Sequence, residues 1–152
     1  MSDAASRAEH RAQVTADLMA RTGIDEALIG RVVHGFYAKV RADAELGPVF
    51  AARITDWEPH LATMCRFWSS VTLKTAIYSG SPMQRHAPLA VSGAHFDRWM
   101  ALFTQTVMET CPPAAAVVFL DAAGRIAQSL EFGIATHRGL MMSKGERLPA
   151  PT

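Results

Sequence analysis

Four residues carry polar chemistry into otherwise apolar patterns in this chain: Tyr37, His60, His86 and Trp99. Tyr37, His60 and Trp99 each fall on the apolar face of a separate helical repeat. A phenol O–H, an imidazole and an indole N–H all need partners when buried. Backbone carbonyls or one another would satisfy them, and a lone histidine on an apolar face is usually a satisfied core residue. Three such tips on three converging helices also suit one polar ligand shared in an apolar pocket. His86 differs, because it stands in "YSGSPMQRHAPL", a run broken by Pro82 and Pro88. Proline interrupts helices and restricts the residue before it, so this run allows little more than one turn. On spacing alone, His86 reads as a surface turn residue.

Other chemistries find no support. "SGS" at Ser79 to Ser81 follows no strand, so it is not a phosphate loop. No His, Cys or Asp cluster has zinc spacing. Cys65 and Cys111 form neither a close pair nor a disulfide framework and read as reduced thiols in apolar surroundings. No serine or cysteine is marked as a nucleophile by a strained turn or an activating partner. His95 and His137 fall at helix positions where solvated residues are expected, and His34 is expected to face solvent rather than line an entrance.

Helices must hold these side chains. Thr22 and Asp25 in "TGID" form an approximate capping box, after which Ile29, Val33, Phe36, Tyr37 and Val40 recur at helical spacing. Gly47-Pro48 predicts the stop of that helix and leaves Phe50 in the connection. "TDWEPH" opens the next, with Asp56 as N-cap and Pro59 at the third helical position, where a missing N–H costs nothing. Its face carries Trp57, His60, Met64, Phe67, Trp68 and Val71, and its end is expected near Tyr78. Ser92 caps a third helix with Phe96, Trp99, Met100, Phe103 and Val107 on one face. Pro112-Pro113 separates it from a fourth, where Gly124 and Gly133 lower helix propensity among Val117, Leu120, Ile126, Leu130 and Ile134. Residues 1–21 read as an N-terminal extension with a loose additional helix, 22–138 as one domain, and 139–152 as a flexible tail. No alternation marks a strand, so the class is all-α.

A length of 152 residues, 49% hydrophobic and 19% charged, suits a single soluble domain. The formal net charge is +1, and no cluster of Lys and Arg points to nucleic acid or an anionic membrane. The N-terminus lacks the apolar centre of a signal peptide, and no apolar run approaches a membrane span. A cytoplasmic location is expected.

With the elements placed, "FYAKVRADAELGPVF", "DWEPHLATMCRFWSSVTL", "YSGSPMQRHAPL" and "HFDRWMALF" resemble the group III truncated haemoglobins in order and spacing. The resemblance runs roughly from Ile24 to Gln128 in helix pattern and is dense between Phe36 and Phe103. It implies a shortened globin, two helices packed over two around one haem b, with the proximal helix reduced to about a turn. It implies that His86 is the proximal iron ligand and that Tyr37 and Trp99 are distal hydrogen-bond donors. His60 would hold the distal-histidine position, there to gate ligand access, to donate to the ligand, or to bind the iron as a sixth ligand. Phe50 resembles the aromatic wedge against the haem face, and Met64 an apolar pocket residue. Phe67, Trp68, Met83 and Phe103 are implied haem contacts. Arg85, Arg53 and Tyr78 are weak candidates for the haem propionates, and an ordinary solvated residue is the favoured reading of each. The loop from His86 to Trp99 is where the family varies in length; here it holds Gly93 and one proline after the histidine, Pro88.

Three functions stay open at this point. The preferred one is binding of diatomic ligands (oxygen, nitric oxide or carbon monoxide) at the iron. A second is an enzyme at the same iron, either a nitric oxide dioxygenase served by a reductase or a catalyst of peroxide chemistry. The third is a haem-free helical module in which Tyr37, His60 and Trp99 bond to one another.

Overall fold

Apolar residues at helical spacing along almost the whole chain produce helices along almost the whole chain. The computed structural model describes residues 3–86 and 89–151. Its helices are α1 (Asp3–Thr22), α2 (Glu26–Ala42), α3 (Leu46–Ala51), α4 (Trp57–Leu73), α5 (Pro82–His86), α6 (Gly93–Thr110) and α7 (Pro113–His137). No strand occurs among the described residues. Pro88, expected to close the proximal turn, lies outside the described residues.

Four long helices form a closed circuit, α2 against α4 and α6, and α7 against α6 and α4. This is the two-over-two sandwich of a shortened globin. The apolar stripe of α2, with Ile29, Val33, Phe36 and Val40 all buried, faces Phe103 and Val107 of α6 and Phe119 of α7 in one core. Aromatic rings organise its centre. Trp99 stacks on Phe103 with their planes 2° apart and centroids at 5.2 Å. Phe103 also stacks with Trp68 at 5.0 Å, and Phe36 meets both Trp99 and Phe103 edge-on. Such pairs add about 0.5–1.5 kcal/mol each beyond the area they bury.

The helix ends depart from expectation where a side chain overrides propensity. Asp25 alone caps α2, accepting from Leu28 N at 2.8 Å. Thr22 instead turns back, its Oγ1 donating to Leu18 O at 2.6 Å. The helix stops at Ala42, ahead of Gly47-Pro48, because Asp43 is extended and its carboxylate accepts from Glu45 N and Leu46 N at 3.1 and 2.9 Å. That turn begins α3, so Phe50 rides on a short helix rather than in a connection. Pro48 is tolerated at its third position, where the N–H has no intrahelical acceptor. At α4 the Asp56 side chain makes no cap bond, and the helix ends at Leu73 instead of near Tyr78. Lys74 turns left-handed there, with φ 57°, and the hydroxyls of Ser69 and Ser70 hold the departing chain through Thr75 Oγ1 and Tyr78 N, each at 2.8 Å.

Both termini are more structured than their composition suggests. The N-terminal extension is a continuous helix of 20 residues, tied to α4 by Thr15 Oγ1, which donates to Leu73 O at 2.7 Å. The C-terminal segment, expected to be a flexible tail, folds back and buries Leu148 to 2% exposure against Val91, Ile134 and Ala135. Gly93 N donates to Leu148 O at 2.8 Å, and Leu148 N donates to Glu131 Oε1 at 2.9 Å. Arg147 spans Glu131 and Asp97 at 2.9 and 2.8 Å. One apolar residue in a polar stretch has no periodicity to announce it.

Leu148→Ala is expected to lower unfolding stability by about 2 kcal/mol, the low end of buried leucine truncations because it sits in a small peripheral cluster. Urea unfolding checks this, and an unchanged midpoint would show that the segment adds nothing to the core.

Candidate functional site

Helices α2 to α7 surround a cavity of about 540 Å³, within the range of small-molecule and cofactor pockets, about 300–1,000 Å³. Its wall includes Tyr37, Phe50, His60, Met64, Phe67, Trp68, His86 and Trp99, with Arg53, Tyr78 and Arg85 also on it. Two expected contacts are placed elsewhere. Phe103 lies in the core, stacked on Trp99 and 1% exposed. Met83 turns toward α7, where its side chain occupies the space that a Cβ on Gly133 would need. Gly133 is therefore a seat for Met83 rather than a weak point of α7, which runs unbroken from Pro113 to His137.

His86 ends the five-residue α5, and its Nδ1 lies 2.6 Å from Pro82 O. A carbonyl can only accept, so Nδ1 carries the proton, and the lone pair of the neutral ring falls on Nε2. An imidazole held this way is set up as a metal ligand, because the backbone bond fixes both its tautomer and its orientation. His95 also lines the cavity, contrary to its expected place in solvent. Its Nδ1 accepts from Ser92 N at 3.0 Å, so in the neutral ring the proton sits on Nε2 and that atom is a donor. Two histidines on one cavity thus present opposite chemistry. The signal for His95 was in the sequence: Ser92 followed three residues later by a histidine in the place where a capping box usually has Glu or Gln.

Across the cavity, Tyr37 is 6% exposed, and its ring meets those of His60, Trp57 and Phe50 at 5.2, 5.8 and 5.9 Å. Burial alone pushes its hydroxyl above the ordinary tyrosine value, so the group stays a neutral O–H donor. His60 Nε2 is buried without a hydrogen-bond partner. Burial, then the positive charge of Arg85, holds the His60 imidazole below its ordinary pKa. The arrangement in which Tyr37, His60 and Trp99 satisfy one another is therefore absent among the described residues.

These groups fit a haem. One neutral imidazole offers a lone pair, stacked and edge-on aromatics line the walls, and an orphaned histidine nitrogen is buried in the wall. Arg53 and Arg85 form no ion pair among the described residues, which leaves both guanidinium groups for carboxylates. Leu89, Val91, Ile126, Ala127 and Leu130 complete the wall with apolar surface. The apolar stripe of α7 identified Ile126 and Leu130 only as core and did not include Ala127.

The bacterial-like globin family matches residues 18–117. The group 3 truncated hemoglobin ctb of Campylobacter jejuni is 32% identical over 89 residues, which cover 55% of this chain and 70% of that one. The crystal structure of a group III truncated hemoglobin from Campylobacter jejuni is similar with a TM-score of 0.68 at 28% identity, covering 81% of this chain and 96% of that one.

The buried hydroxyl gives a measurable pH dependence. Unfolded tyrosine releases its proton near pH 10 while folded Tyr37 retains it, so its contribution to stability is present below pH 10 and is lost as pH rises above that. Ultraviolet difference titration should show a tyrosine component ionising only above the ordinary range, and Tyr37→Phe should abolish it. A late component that survives in Tyr37→Phe would place the buried hydroxyl elsewhere.

Proposed function

This chain belongs to the bacterial-like globins, as a group III truncated haemoglobin, and we propose that it binds a diatomic ligand at a haem b held by His86. The observation that carries this reading is the bond from His86 Nδ1 to Pro82 O, which leaves the Nε2 lone pair free on the cavity wall. Haem, when bound there, would supply a ferrous iron able to take oxygen, nitric oxide or carbon monoxide.

The chain's own residues then set how that ligand is held. Tyr37 donates through a hydroxyl that burial keeps protonated, and Trp99 donates through its indole N–H. Both act in a pocket walled by apolar side chains, where fixed donors are worth more than in water. His60, kept neutral by burial, either gates access, adds a third contact to the ligand, or swings in as a sixth ligand. Phe50, Met64, Phe67 and Trp68 exclude water. Arg53, Arg85 and Tyr78 on the cavity wall support a role as partners of the haem carboxylates, and His95 lies on the same wall.

Two donors aimed at one ligand favour retention over delivery. That supports a second reading, in which the held ligand is consumed, as in nitric oxide dioxygenation with an external reductase. Both cysteines are free thiols, which suits the reducing cytoplasm. No helix among the described residues is long and apolar enough to cross a membrane.

His86→Ala should abolish the histidine-ligated haem spectrum; a five-coordinate histidine spectrum that persists would remove His86 from the proximal role. Tyr37→Phe should speed oxygen dissociation by about ten- to a hundred-fold, the equivalent of one hydrogen bond to a charged group. Stopped-flow displacement measures it, and an unchanged rate would take Tyr37 out of ligand binding. If the spectrum of the unliganded ferrous protein changes from six- to five-coordinate in His60→Ala, His60 is the resting sixth ligand; an identical spectrum dismisses that role.

A further inference from the structure

Beyond α5 the chain must return to the start of α6, and Arg138 at the end of α7 holds that return. Its Nη2 donates to Leu89 O at 3.0 Å and to Val91 O at 2.8 Å, while Nη1 donates to Pro149 O at 3.1 Å. Leu89 N in turn donates to His86 O at 3.0 Å. One guanidinium is therefore two hydrogen bonds away from the histidine backbone. Its fork is spent on carbonyls, since no carboxylate pairs with Arg138 among the described residues.

The geometry of α5 makes such a brace necessary. A helix of five residues closes too few backbone bonds to be stable alone. Met83 seats it against Gly133 on one side, and Arg138 holds the segment that follows it. The C-terminal segment backs Arg138 in turn, because Pro149 O accepts from it next to the buried Leu148, and Arg147 donates to Gly93 O at 2.9 Å. Helix α7, the return to α6 and the last residues of the chain all meet at one side chain.

We propose that Arg138 is a positioning residue for His86, fixing the direction of the imidazole toward the haem iron, and that residues 146–149 form the strap that locks it in place. This rests on the reading of His86 as the iron ligand. Arg138 touches neither haem nor ligand; it acts through Leu89. Truncating it loosens the His86 backbone while leaving the Nδ1 bond to Pro82 O and the distal wall intact.

The test uses the haem-loaded full-length protein as wild type, His86→Ala, Arg138→Met, Arg138→Lys and Val32→Ala, the last a core truncation remote from α5. Two quantities are read: the iron–histidine stretching band of the unliganded ferrous form, and the rate of haem transfer to an excess of a haem-free acceptor protein. Arg138→Met should shift or broaden the band and speed haem loss about ten-fold, the equivalent of one charge-assisted bond. Arg138→Lys, with one donor retained, should recover part of both. Val32→Ala should lower the unfolding midpoint and move neither. A wild-type band and rate in Arg138→Met, or the same changes in Val32→Ala, would overturn the proposal. If Arg138→Met does not fold, an unmoved band and rate in Arg138→Lys overturn it instead. A histidine band that persists in His86→Ala removes the proximal ligand and this proposal with it. A band that is lost in His86→Ala but unmoved in Arg138→Met removes Arg138 alone.

Discussion

A helix of five residues cannot hold an imidazole still through its own backbone bonds, so the orientation of His86 depends on its Nδ1 contact with Pro82 O. That single bond determines which nitrogen has a lone pair and which way it faces. Pro82 contributes twice, since its ring fixes the first turn of α5 and its carbonyl, one turn before the histidine, accepts a hydrogen bond from the ring N–H. The remaining supports are external. Met83 against Gly133 and the segment from Leu89 to Gly93 convert a marginal turn into a fixed mount.

The opposite wall is built on packing rather than on a polar network. Trp99 reaches the cavity because Phe103 lies flat behind it and Phe36 meets it edge-on. Tyr37 is caged by Phe50, Trp57 and His60, and Trp57 is itself covered by the Arg41 guanidinium, 4.6 Å from its ring. Each donor is packed by neighbours with which it makes no hydrogen bond among the described residues. Rigid apolar surroundings of this kind pre-position a donor without competing for its hydrogen.

Much of this could be read from the residues alone, and the gaps have physical causes. Helical periodicity brought Tyr37, His60, Met64, Phe67, Trp68 and Trp99 to one cavity, because residues on one face of packed helices must converge. The proline-limited turn bearing His86 was equally legible. Helix α3 was not, since Gly47-Pro48 reads as a stop unless the Asp43 carboxylate is seen capping a new turn ahead of it. Met83 and Phe103 kept the right helices but took other partners, a choice made by side-chain direction and not by spacing. Leu148 and Arg138 escaped because their partners are backbone groups and residues far along the chain, which leave no mark on local pattern.

Burial has one more consequence at Tyr37 and His60. The tyrosine hydroxyl is pushed up and the histidine is held down, so burial favours the uncharged form of both. The distal wall is thereby biased toward electrical neutrality. A ligand held there meets groups that act through the direction of a hydrogen bond rather than through net charge, while the arginines at the rim keep their charge at every cellular pH.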